Sequence, residues 1–352
     1  MHYYINGEAL GVTRTLGIHR YAFEILKRID AQEKVAKSFT IVVPRNLETY
    51  LTLSHITVKR IGRSVNNRVD KELWCHGDLP SYVKHHHGFG IDLTLAFPNW
   101  DQGLVGIDDC IYESYPEDNP GIKGFLSRKL YVKRVKQVAK NKNIKINTLS
   151  LFSKNELVNR YGIEAERIAI VPCGWEHVNY IHKDVDVLTE YNLEQRHYYF
   201  TLGSRYPHKN ISWILRTAVL NKDSLFVVTG TGEFLKEREE LPKPDNVIFT
   251  GYLSDSKVMA LMANSKALIQ PSFCEGFGLP PLEALALGTP CLVSSGSCFP
   301  EIYGASVGYI DPKIPSSNLD ELLVCDEVER AKVLEKNSWS KSAGSFLEEL
   351  GL

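Results

Sequence analysis

The chain has 352 residues, 43% hydrophobic and 24% charged, with a formal net charge of -1. That length suits two domains, and that balance gives no global drive towards nucleic acid. No run of about 18 apolar residues occurs to cross a membrane, and the first strand-like stretch is too short and lacks the basic flank of a secretory signal.

The N-terminal half alternates strand-like and helix-like stretches. "HYYING" (2–7) reads as a strand, "GIHRYAFEILKRI" (17–29) as an amphipathic helix and "FTIVVP" (39–44) as a strand. Residues 61–90 show no clear period and read as loop. "IDLTLAFP" (91–98) and "GLVGID" (103–108) read as strands, 127–141 as a helix, 145–150 as a strand, 153–162 as a helix and 167–172 as a strand. The pattern fades between Val171 and Gln195, which places the domain junction there.

The C-terminal half is clearer. Strands are expected over 197–203, 224–230, 246–252, 267–272 and 289–295. Helices are expected over 210–220 with Asn210 as N-cap, over 254–265 with Ser254 as N-cap, and over 280–288 closed by Gly288. Continuous apolar strands alternating with helices imply parallel sheets covered on both faces, hence two doubly wound α/β domains in tandem. We assign 1–180 to the first and 181–336 to the second. Seven scattered cysteines (75, 110, 173, 274, 291, 298, 325) without CxxC spacing fit reduced thiols in the cytosol.

Ligands of such domains sit at the carboxyl ends of strands. At one such end stands "GSRYPHKN" (203–210), where Gly203 closes a strand and Arg205 and Lys209 lie before a helix. Two cations beside a helix N-terminus suit a diphosphate, although charged loops are common. At another stands "EGFGLPPLE" (275–283). Gly276 and Gly278 let backbone amides approach a ligand, and Pro280 and Pro281 suit a first helical turn. Glu283 then reads as an acid at a helix dipole or as a ligand group, whereas Glu275 has no evident structural duty. Carboxylates accept sugar hydroxyls, while the Gly276–Leu279 amides with Arg205 and Lys209 suit phosphate, a division that describes a nucleotide-sugar.

With these residues in view, the chain resembles family 4 glycosyltransferases of the GT-B fold. The E-x7-E spacing of Glu275 and Glu283, the strand and basic loop "YYFTLGSRYPHKN", the stretches 149–178 and 250–272, "LGIHRY" (16–21) and the closing "WSKSAGSFLEEL" (339–350) carry the resemblance over nearly the whole chain. It implies two Rossmann-like domains facing a cleft, the C-terminal helix (337–352) returning to the first, and transfer with retained configuration, without metal or other cofactor. It further implies that Arg205 and Lys209 neutralise the diphosphate and that Glu275 binds donor-sugar hydroxyls. Phe277, Gly278 and Leu279 would present amides, and Glu283 would bind the ribose. Two departures stand out. Asp108, in "GIDDC", occupies the place of the family's histidine near the reacting carbon, with Asp109 keeping the acid. Cys173 replaces the asparagine of "PNG".

Other candidates are less specific. Nine Lys or Arg residues fall between Lys123 and Lys145, with no acid from 119 to 155 and with Phe125, Leu126, Leu130, Tyr131 and Val132 interleaved. Such a segment suits an anionic membrane surface or a solvated helix face. The histidines of "HHHGFG" (85–90) lack a partner at metal-ligand spacing and read as a loop. Gly17, between Arg14 and His19, is a candidate in the first domain's first loop. Base recognition is expected near Gly230–Glu233 and Tyr252. The combined expectation is a cytoplasmic, peripheral-membrane glycosyltransferase. It would move a sugar, first of all mannose from GDP-mannose, onto a lipid-linked glycan in surface polysaccharide or O-antigen synthesis, with no nucleic-acid partner. A GT-B nucleotide-sugar epimerase and an idle binding subunit are the alternatives.

Overall fold

The computed structural model describes residues 1–11, 17–49, 51–203, 205–230 and 243–352. Contacts divide the chain into two compact units, Met1–Cys110 with Leu126–Cys173 and Trp339–Leu352, and Ile111–Phe125 with Gly174–Ser338. The division after Cys173 falls a few residues before the expected boundary, and Ile111–Phe125 groups with the second unit.

The first unit holds a parallel sheet of β1 (Tyr3–Asn6), β2 (Phe39–Pro44), β3 (Thr57–Ile61), β4 (Phe89–Asp92), β5 (Gly103–Gly106), β6 (Ile144–Thr148) and β7 (Ile168–Ile170), in the order β3-β2-β1-β4-β5-β6-β7. The apolar run of β2 is buried along its whole length, as a strand covered on both faces requires. The C-terminal helix Trp339–Leu350 belongs to this unit, with Trp339 buried 5.9 Å from the ring of Tyr21 and the Tyr3 hydroxyl donating to the Leu350 carbonyl at 3.0 Å. The second unit repeats the plan with β8 (Tyr198–Thr201), β9 (Leu225–Val228), β10 (Val247–Phe249), β11 (Ala267–Gln270), β12 (Cys291–Ser294) and β13 (Gly308–Ile310), all parallel, in the order β10-β9-β8-β11-β12-β13. In both sheets the order reverses in the middle, at β1/β4 and at β8/β11, and the loops leaving those neighbours diverge to open a crevice.

Three expectations need correction. Residues 61–90 are not loop: helices Arg68–Leu73 and Leu79–His85 flank a π-helical turn, Trp74–Asp78. Trp74 and Cys75 within that turn and Leu79 and Val83 after it are buried, whereas Val69 and Leu73 before it are exposed, so no single 3.6 period runs through the segment. The strand expected over 91–98 ends at Asp92, whose carboxylate accepts from the backbone N–H groups of Thr94 and Phe97 and turns the chain, with Leu95 and Phe97 at φ +58° and +53°. Asn210 lies at φ +57° and makes no side-chain cap. Strands β3 and β13 and the helix Glu327–Lys336 are additions. Among the described residues no helix is long and apolar enough to cross a membrane.

Candidate functional site

The β8/β11 switch point brings the basic loop and the acidic glycine turn together. Gly203 is fixed by sterics: a Cβ there would lie 1.8 Å from the Thr229 carbonyl oxygen, and its N–H donates to the Thr229 hydroxyl at 3.0 Å. Arg205 is exposed, its guanidinium 5.5 Å from the centre of the Tyr206 ring. A short turn, Pro207–Lys209, leads to Asn210. The buried Asn210 amide donates to the carbonyls of Pro271 (3.0 Å) and Pro312 (2.7 Å), which ties the loop to the chain leaving β11.

Glu275 is buried, yet three groups meet its carboxylate or backbone. Lys209 Nζ lies 2.7 and 2.8 Å from its two oxygens, the Gln270 amide donates at 2.8 Å, and its own N–H donates to the Ser297 hydroxyl at 3.2 Å. Burial acts to raise this carboxyl's pKa, but the Lys209 ammonium and its hydrogen bonds outweigh it, and the group sits below the ordinary glutamate value. The Lys209 side chain keeps 30% exposure against 8% for Glu275, so the cation is the more open of the two to solvent. The predicted diphosphate cation and the predicted sugar acid are therefore partners of each other.

The turn that follows is built around glycine. Gly276 is buried, and Gly278 takes φ +81° with Phe299 Cε1 2.4 Å from where a Cβ would stand. Phe277 turns its ring into the core, 3% exposed. Leu279 opens the helix Leu279–Ala286, with prolines at its start. Glu283 is not a cap. It is buried on that helix, with His177 Nε2 at 2.8 Å from Oε1. A third acid lies beside the basic loop: the His208 N–H donates to Asp118 at 3.2 Å, and His208 Nδ1 meets the other oxygen of the same carboxylate. His177, His208 and Asp118 escaped the sequence reading, since the paired residues lie 106 and 90 positions apart, and Gln270, five positions before Glu275, read only as part of a strand.

Two candidates belong to the first unit. Asp108 follows β5, half-buried, and its carboxyl is pushed up to about 7 by lost hydration and then by the neighbouring acids Asp109 and Asp92. Gly17 opens the helix Gly17–Asp30, exposed and with open space where a Cβ would stand, so no close approach requires glycine there. Arg14 and residues 231–233 lie outside the described residues. Cys173 is buried. His85 ends a helix, His86 Nδ1 lies 2.8 Å from the Tyr82 carbonyl oxygen, and His87 takes φ +50°. Among the described residues no three His, Cys, Asp or Glu side chains gather to hold a metal ion.

Two parallel, doubly wound units in tandem, with an anion-suited loop at the second switch point, define the GT-B class of fold. Residues 189–318 match the family model "Glycosyl transferases group 1". Over 190 residues the chain is 28% identical to the O-antigen chain mannosyltransferase RfbU of Salmonella typhimurium, a match that spans 52% of this chain and only 49% of that protein. It is 23% identical over 329 residues to O-antigen chain mannosyltransferase B of Escherichia coli, covering 84% of this chain and 83% of the relative. The crystal structure of WaaG, a glycosyltransferase involved in lipopolysaccharide biosynthesis, superposes with a TM-score of 0.65 over 97% of this chain and 94% of its own, at 16% identity. The chain thus has the GT-B fold and is similar, over these stretches, to glycosyltransferases of family 4 type.

Proposed function

We propose that this glycosyltransferase moves mannose from GDP-mannose to a hydroxyl of a lipid-linked glycan, with retained configuration and without a metal, in O-antigen or related surface polysaccharide synthesis. The observation that carries the reading is the Lys209–Glu275 pair at the β8/β11 switch point. A diphosphate arriving there competes for Lys209, with Arg205 as second cation and the Gly276–Leu279 amides, which precede the two prolines of helix Leu279–Ala286, as further donors. Glu275, released in part, then accepts hydroxyls of the donor sugar. Glu283 serves the ribose, and Asp108, which holds a proton up to about pH 7, is the first unit's candidate for a hydrogen bond to a sugar hydroxyl.

In the transfer step the bond between the anomeric carbon and the phosphate oxygen breaks, and its electron pair leaves with the diphosphate. The acceptor oxygen forms the new bond on the same face, and its proton passes to the departing phosphate. Stabilising that departing charge is the task of Lys209 and Arg205. The mannosyltransferase relatives support the choice of sugar. The helix Gly121–Lys140 supports a membrane-bound acceptor, since Ile122, Phe125 and Leu126 are 79%, 46% and 58% exposed among its basic residues.

Thermal denaturation with GDP, UDP and dTDP tests the donor assignment. GDP at about 100 times its dissociation constant is expected to stabilise by about 2.7 kcal/mol. Greater stabilisation by UDP or dTDP overturns the base assignment, and none by any of the three overturns the donor class.

A further inference from the structure

The loop that presents Lys209 is held by a contact that the transfer scheme above does not use. His208, directly before Lys209, directs its backbone N–H to one oxygen of Asp118 at 3.2 Å and its Nδ1 to the other. Both side chains are nearly enclosed, 7% and 4% exposed. The imidazole has two aromatic neighbours, the rings of Tyr115 at 5.7 Å and Tyr206 at 6.0 Å. On its other side the His208 carbonyl accepts from the Phe273 N–H at 2.8 Å, two residues before Glu275. One residue thus fastens the basic loop, the acidic turn and the segment Ile111–Phe125, all within the second unit.

Resting on the proposed transferase reading, we infer that His208 is a positioning residue for transfer, held by Asp118 and setting the backbone from which Lys209 reaches the donor diphosphate. A buried carboxylate meeting two donors on one residue leaves that residue a single orientation, because either donor would be stranded by a rotation. Lys209 follows through one peptide bond, so an error at His208 passes to the ammonium. Misplacing a catalytic group by an ångström is enough to slow a reaction strongly while the substrate still binds. Nδ1 is committed to Asp118, so the inferred role runs through Nδ1 and the backbone rather than through Nε2.

The test measures GDP release by the full chain from GDP-mannose, with water as acceptor, giving kcat and KM for the donor. His208→Ala is expected to lower kcat about 100-fold while KM moves less than about threefold. Asp118→Ala is expected to match it, and the double variant to add nothing further. His208→Asn keeps an N–H donor near the place of Nδ1 and is expected to recover kcat to within about threefold of the parent. His208→Gln, which places its amide near Nε2, is expected to stay slow. The two amide variants are compared at equal melting temperature, so the answer survives even if the alanine variant folds poorly. An unchanged kcat in His208→Ala, or rescue by Gln and not by Asn, overturns the inference while the parent remains active. A parent that releases nucleotide from no nucleotide-sugar overturns the transferase reading, and this inference with it.

Discussion

Both sheets reverse their strand order at a central switch point and carry a buried acid at its carboxyl edge, Asp92 ending β4 and Glu275 in the loop after β11, yet the acids live differently. At the β1/β4 switch point, Asp92 has no exposure and is consumed by structure: Asn6 Nδ2 at 3.1 Å, the Thr94 hydroxyl at 2.8 Å and the Phe97 N–H at 2.8 Å all donate to it. At the β8/β11 switch point, Glu275 is held by a cation that still meets solvent. Fixed backbone and amide donors cannot leave Asp92 for a ligand, whereas Lys209 can exchange a carboxylate for a phosphate. The carboxyl edge of the switch point therefore carries a structural knot in one unit and an exchangeable ion pair in the other.

The largest test of that contrast is Lys209→Ala. It is expected to leave the chain folded and to lower turnover by about two orders of magnitude or more, read as nucleotide diphosphate release beside an unchanged circular dichroism spectrum. Asp92→Ala should do the reverse in kind, costing about 2–4 kcal/mol of stability by denaturant titration because its donors are left buried and unpaired. A slow but fully stable Asp92→Ala would erase the distinction between the two edges.

Finer tests separate the two acids of the glycine turn. Glu275→Ala is expected to lower kcat/KM for the sugar donor about tenfold or more while GDP affinity holds, and Glu283→Ala to weaken GDP itself by about tenfold. Equal losses of bare GDP affinity in both variants would contradict that split. A last test concerns Asp108, whose carboxyl is raised to about 7 from an ordinary 3.8. A folded-state pKa above the unfolded one means that the native chain keeps a proton that the unfolded chain releases. Stability is therefore expected to decline as pH rises from about 4 to about 7, and Asp108→Asn to flatten that slope. An identical pH profile in the variant would remove Asp108 from the account.

Much of the second unit could be read before any coordinates, because its strands are short continuous apolar runs with Gly or Pro at their ends, as at "ALIQPS". The loops carrying Arg205, Lys209 and Glu275 fell at strand ends for the same reason. What stayed hidden was non-local or non-periodic. The π-helical turn at Trp74–Asp78 interrupted the spacing of a half-exposed helical segment, and Asp92 ended a strand inside an apolar run through its own turn chemistry. His177 opposite Glu283, and Asp118 opposite His208, pair residues 106 and 90 positions apart, a distance no local motif spans. Asn210 looked like a cap by residue type, but its amide serves two proline carbonyls instead.

The central claim is that Lys209, drawn from Glu275, carries the charge of a departing nucleotide diphosphate. Its most direct test is to incubate the chain with GDP-, UDP- and dTDP-sugars, with and without a lipid-linked glycan fraction, and to quantify free nucleotide diphosphate. The account predicts GDP release from GDP-mannose that rises with the glycan and is lost in Lys209→Ala. Release from none of the donors, or equal release by the parent and Lys209→Ala, would contradict it.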